Sequence, residues 1–130
     1  MALSRSESDS LIRAMKYVKS RQAELGYAIN DSKQRENGGE RTTNISLSYG
    51  RGKRIIDIYG RKERLRIYIR NNTTCPEYLA VKLLIQELCW QESFPTQGNL
   101  KYSITIPVAY CEKVLGAMLD ARAAYGLEDL

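Results

Sequence analysis

The amino-acid sequence predicts a single α+β domain over residues 1–130, built in the order α-β-β-β-α-β-α. Two periodicities and one spacing rule predict it. Apolar residues recur every three or four positions near both ends and again around residues 76–90, the period of a helix with one buried face. They recur every second position over residues 44–70 and 100–106, the period of a strand. The connections inside 44–70 are too short for crossovers, so its three strands form an antiparallel meander. A fourth strand and three helices complete the domain. With 43% hydrophobic and 27% charged residues, the chain has the make-up of a globular domain large enough to bury a core.

The first helix spans about Glu7 to Leu25. Leu11, Ile12, Met15 and Val18 repeat at helical spacing, and Ser, Asp and Glu crowd its start, where the helix dipole favours them. Gly26 is a natural stop because it adopts a left-handed conformation without a Cβ clash. Residues 30–41, NDSKQRENGGER, contain almost no apolar side chain. They are expected either as a mobile surface loop, around 30–42, or as the end of a long hairpin that starts at Tyr27.

Strand character begins at Asn44, with Ile45, Leu47 and Tyr49 on one face and Asn44, Ser46 and Ser48 on the other. Gly50-Arg51-Gly52-Lys53 forms a turn. Arg54 to Tyr59 sets Ile56 and Ile58 against Ile55, Asp57 and Tyr59. After a second turn at Gly60-Arg61-Lys62-Glu63, Arg64 to Arg70 alternates cleanly. Leu65, Ile67 and Ile69 point inward; Arg64, Arg66, Tyr68 and Arg70 point outward.

Pro76 in the first turn, with Thr74 or Cys75 as N-cap, announces a second helix through Trp90. Apolar on most sides, it is expected to be the most buried of the three. Pro95 and Gly98 break it. Leu100 to Ile106 alternates again, and Pro107 opens a last helix from Val108 to Tyr125, whose Gly116, Ala117 and Ala121 favour close packing.

Several function classes find no support. No apolar run approaches the roughly 20 residues of a membrane span, and the N-terminus lacks the apolar stretch of a signal peptide, so cytoplasmic residence is expected. The three cysteines, Cys75, Cys89 and Cys111, lie 14 and 22 positions apart with no histidine anywhere in the chain, which is not zinc-ligand spacing. No metal and no cofactor is expected. Without histidine, a nucleophilic Ser or Cys has no motif supplying its base.

The charge is concentrated. Residues 1–50 carry +2, residues 71–130 carry −3, and residues 51–70 alone carry +6, which sum to the chain's +5. Arg51, Lys53, Arg54, Arg61, Lys62, Arg64, Arg66 and Arg70 supply that segment's cations, interleaved with Tyr59 and Tyr68. Antiparallel sheets commonly bury one face and wet the other. With helices on the Leu65/Ile67/Ile69 face, the opposite face carries arginines and tyrosines suited to neutralising phosphates and stacking unpaired bases. The plain alternative is a solvated sheet face whose arginine stems lie over tyrosine rings. The expected function is a non-enzymatic binding module that takes nucleic acid on this surface. The alternative is a protein–protein module, an inhibitor or adaptor, that grips an acidic protein surface with the same residues.

The turn Gly50-Arg51-Gly52-Lys53 lacks the GxxxxGK[ST] spacing and following helix of a phosphate-binding P-loop. The element order over residues 7–106 resembles the common core of restriction-endonuclease-like folds, with Asp57 on the second strand where that family keeps a metal-binding aspartate. This resemblance implies a degenerate hydrolase as a further alternative. Family members follow the aspartate with Glu-x-Lys on the third strand, whereas this chain reads Arg64-Leu65-Arg66-Ile67-Tyr68, without an acid. Pairing with Arg54, Arg64 or Arg66 is the ordinary role for Asp57.

Overall fold

The computed structural model describes residues 5–36, 39–49, 53–69, 75–88, 92–93 and 102–125. Helix α1 (Arg5–Leu25) leads into strands β1 (Ala28–Glu36), β2 (Gly39–Tyr49), β3 (Lys53–Arg61) and β4 (Arg64–Ile69). Helix α2 (Pro76–Leu88), the two-residue strand β5 (Glu92–Ser93), β6 (Tyr102–Pro107), a short 3-10 turn (Val108–Tyr110) and α3 (Cys111–Tyr125) follow. The strands form one sheet in the order β1-β2-β3-β4-β6-β5, and every adjacent pair is antiparallel. The α+β class and the meander with an added strand are as the sequence predicts. Among the described residues no helix is long and apolar enough to cross a membrane.

Of residues 30–42, those described, 30–36 and 39–42, belong to strands β1 and β2 of the long hairpin, the second of the two expectations, so β1 and the two-residue β5 are strands that the alternation does not signal. Ala28 pairs with Ser48, and pairing continues out to Glu36 opposite Gly39. Beyond Asn44, the last β2 residue paired with β3, β1 and β2 run on as a two-stranded ribbon. The ribbon leaves the sheet at the same end as the β3–β4 turn, because Asn44 is opposite Tyr59 and β3 then continues to Arg61.

The core lies on one side of the sheet. Ile45, Leu47, Ile56, Ile58, Leu65, Ile67, Ile69, Ile104 and Ile106 are all closed to solvent. They form a single cluster with Leu11, Ala14 and Val18 of α1 and Val114, Leu115, Met118 and Leu119 of α3. Ile55, expected opposite Ile56, is fully buried as well. The register explains this correction: Leu47 pairs with Ile56 and Ser48 with Arg54, so Ile55 is the extra residue of a β-bulge. The bulge shifts the alternation by one, which sets Arg54 on the face of Asp57.

The first helix ends as expected. Gly26 has φ +74°, and its N–H reaches the Gln22 carbonyl at 2.8 Å. Tyr27 then turns inward, donating its hydroxyl to the Val18 carbonyl and meeting the Tyr49 ring edge-on at 5.7 Å. Helices α1 and α3 lie side by side and parallel, because three contacts advance together by one helical turn. Arg13 meets Glu112 at 2.7 Å, Tyr17 lies over Gly116, and Arg21 meets Asp120 at 2.6 Å. Among its described side chains, α2 is less buried than expected, with Leu79 and Leu83 at 52% and 69% exposure. Its first turn is tied to the last turn of α3 by Glu77 and Arg122. Among the described side chains the most buried helix is α3, whose inward face runs from Cys111 to Arg122.

Candidate functional site

The face of the sheet opposite the core carries the polar phase of each strand. Pairing sets Tyr59 beside Arg66, Asp57 beside Tyr68, Arg61 beside Arg64, Arg66 beside Thr105 and Tyr68 beside Ser103. The burial pattern of β4 alternates, with Leu65, Ile67 and Ile69 buried and Arg66 and Tyr68 half-buried. The three helices belong to the cluster on the other side. Tyr59, Arg61, Lys62, Arg64, Arg66 and Tyr68 therefore gather on one surface of β3 and β4 and at the turn that joins them. Arg54 lies at the far end of β3. Arg51, Arg70 and the Lys53 side chain lie outside the described residues, as does Cys89.

Two tyrosines form the centre of this surface. The rings of Tyr59 and Tyr68 meet edge to face, with centroids 5.5 Å apart and planes at 79°. Arg61 rests against Tyr59 with its guanidinium carbon 5.6 Å from the ring centre, and it donates to the Gly60 carbonyl at 3.0 Å. Arg66 approaches Tyr68 differently. Its guanidinium carbon is 5.4 Å from the ring centre while Nε donates to the Tyr68 hydroxyl at 3.0 Å, which puts the cation at the hydroxyl end of the ring. The other two nitrogens of Arg66 donate to Thr105 Oγ1 at 3.4 Å and Ser103 Oγ at 3.3 Å.

Asp57 is buried at the floor of the same face. Ser46 donates its hydroxyl to Oδ1 at 2.6 Å, and Arg54 Nε stands 3.9 Å from the same oxygen. Of the three partners considered from sequence, the structure pairs Asp57 with Arg54, three residues along its own strand. A buried carboxylate needs such donors, since burial without them strongly disfavours its charged form. Among the described residues no three His, Cys, Asp or Glu side chains converge as a metal site requires. The order resembling restriction-endonuclease-like folds is altered too, because β1 precedes the three strands of the meander and all strand pairs are antiparallel.

The β3–β4 turn concentrates positive charge. Arg61 and Arg64 are direct cross-strand partners with Lys62 between them, and like charges so placed repel. Among the described residues neither Lys62 nor Arg64 makes an ion pair. Glu63 takes a left-handed conformation, φ +55°, to close this turn, and its carbonyl accepts from the Val108 N–H at 3.0 Å. That bond fastens the turn to the start of the last helical segment.

Sequence reasoning missed Ser103 and Thr105. Their signal was the polar phase of the 100–106 alternation, but it acquires meaning only once β6 is known to lie beside β4. It also missed the buried pair of Glu77 and Arg122.

Fold and surface together define an α+β domain whose helices cover one face of an antiparallel sheet, leaving an arginine- and tyrosine-bearing face opposite. No protein family, no curated protein and no solved structure matches the chain.

Proposed function

We propose that this domain is a non-enzymatic module that binds nucleic acid on the helix-free face of its sheet. The observation that carries the reading is the composition of that face. Two tyrosines lie side by side on neighbouring strands with Arg61, Lys62, Arg64 and Arg66 around them and Arg54 at the far end of β3, and the buried acid of this face, Asp57, is already held by Ser46 and Arg54. Cations neutralise backbone phosphates, and aromatic and guanidinium planes stack unpaired bases. The like-charge pair Arg61/Arg64 supports the same reading. It costs folding energy that an anionic ligand would recover.

The test is a titration of a labelled single-stranded oligonucleotide over a range of salt. Affinity is expected to fall with salt, by a slope of about 0.7 in log K per log salt for each phosphate contact. Replacing Arg64 and Arg66 together by Ala should flatten that slope. An unchanged slope removes the site from this face. Negligible binding near physiological salt, about 0.15 M, with recovery of an acidic protein that the same variant loses, would assign the face to a protein partner instead.

A further inference from the structure

We infer that Arg66, clamped by Tyr68, Ser103 and Thr105, is a preorganised anchor for a single phosphate group. The inference rests on the proposed function for the source of that phosphate, a nucleic-acid phosphodiester, but the geometry stands by itself. All three guanidinium nitrogens of Arg66 are in use, and every acceptor is a neutral hydroxyl: Tyr68 at 3.0 Å, Thr105 at 3.4 Å and Ser103 at 3.3 Å. Among the described residues no carboxylate comes within ion-pair distance of it. The acid on the neighbouring strand, Asp57, is turned toward Ser46 and Arg54.

Such an arrangement is unusual for a half-buried arginine. Ordering a long side chain costs conformational entropy, and a carboxylate partner is the common compensation. Here dipoles hold the fork in place and leave its charge unbalanced. A guanidinium has five N–H groups. Three are committed, which leaves one on each terminal nitrogen for a bidentate contact with phosphate oxygens. The Tyr68 and Thr105 hydroxyls accept from Arg66, so each retains its own proton to donate to the same anion. Three hydroxyls from two strands thus set the orientation of one cation before any ligand arrives. The exposed Arg64 and Lys62 have no such clamp and contribute charge without orientation.

Charge and geometry are separable by experiment. Inorganic phosphate is titrated into the full chain against sodium chloride at matched ionic strength, following the Arg66 Nε–H and the Thr105 and Ser103 amides by NMR. A saturable shift confined to these groups is expected, and it should vanish in Arg66→Ala. Oligonucleotide affinity is then compared across variants. Arg66→Lys keeps the charge but loses the fork, and should lose about tenfold, as much as Arg66→Ala. Arg64→Lys should stay within about twofold.

If Arg66→Lys binds like the unaltered chain, Arg66 supplies charge alone and the anchor is overturned, while nucleic-acid binding stands. If phosphate shifts the Arg66 group but no oligonucleotide binds, the anchor stands and the proposed function fails. Absence of any saturable phosphate shift overturns the anchor outright. Should Arg66→Ala fail to fold, Thr105→Val, which keeps a β-branched side chain on the strand, must weaken the phosphate shift for the inference to survive.

Discussion

Arg122 and Glu77 form a two-pronged ion pair in which both side chains are closed to solvent, at 1% and 0% exposure. Nε donates to Oε2 and a terminal nitrogen to Oε1, each at 2.6 Å. The tyrosine rings of Tyr49 and Tyr125 each lie 5.9 Å from the guanidinium carbon. The pair ties the first turn of α2 to the last turn of α3. It is a buried fastening between these two helices, while Leu79 and Leu83 further along α2 are exposed.

Removing one partner of this pair strands a buried charge. Glu77→Gln or Arg122→Met should each cost about 3–5 kcal/mol in urea unfolding. Glu77→Leu combined with Arg122→Met should recover most of the loss, because the surviving charge is gone as well. Single variants that cost less than about 1 kcal/mol would show that the pair is dispensable. Close by, the buried Tyr49 hydroxyl has no hydrogen-bond partner among the described residues, and Tyr49→Phe should raise stability by about 1 kcal/mol.

Gly116 of α3 lies under the Tyr17 side chain of α1. A Cβ built there would stand 2.6 Å from the Tyr17 hydroxyl, which accepts a hydrogen bond from Arg21 at 3.3 Å. Gly116→Ala should therefore destabilise by about 1–2 kcal/mol, the strain outweighing the better helix propensity of Ala. In a Tyr17→Phe background the hydroxyl is absent, and the same substitution should become neutral or stabilising. A calorimetric comparison of the four proteins reads this reversal of sign.

Arg64 is placed so that stability and binding pull apart. Opposite Arg61 it repels; Arg64→Glu would turn the cross-strand pair attractive and gain about 0.2–1 kcal/mol in thermal or urea unfolding. Under the proposed function the same change should weaken oligonucleotide binding more than Arg64→Ala does. A variant that is both more stable and better at binding would contradict the role given to this turn.

The buried cysteines predict the alkaline limit of the fold. Burial pushes the Cys75 thiol from 9.0 up to about 11 and the Cys111 thiol up to about 12. Burial likewise raises the Tyr27 phenol from 10.0 to about 12. In each case the unfolded chain loses its proton first. Their stabilising contribution is thus full below about pH 9 and is lost as pH rises through about 11 to 12. Urea midpoints should fall across this window, with a shallower fall in Cys75→Ala and Cys111→Ala. Both thiols should also resist a disulfide reagent at neutral pH until the protein unfolds.

Much of this molecule was legible because its signals are local. Helix α1 stops at Gly26, β4 alternates from Arg64 to Ile69, and the bend from β6 into the last helix begins at Pro107, each within a few residues of the feature that encodes it. Strand β1 was not legible with certainty. Its residues, AINDSKQRE, have little apolar phase, and the strand exists because its backbone pairs with β2 over nine positions. The β-bulge at Ile55 was hidden for a related reason: three isoleucines within four residues fit either phase until a partner strand fixes the register.

The α+β class, the meander, the charge concentrated between residues 51 and 70, and the side chains of β4 that share a surface are all encoded locally along the chain. These follow from period, turn chemistry and charge, all properties of neighbours in the chain. The placement of β6 beside β4 emerges only in three dimensions, and it brings Ser103 and Thr105, 37 and 39 residues away, against Arg66. Only the folded chain joins Glu77 to Arg122 across 45 residues. Hydrogen bonds and ion pairs act over a few ångströms of space, and separation along the chain does not reveal which distant groups will come that close.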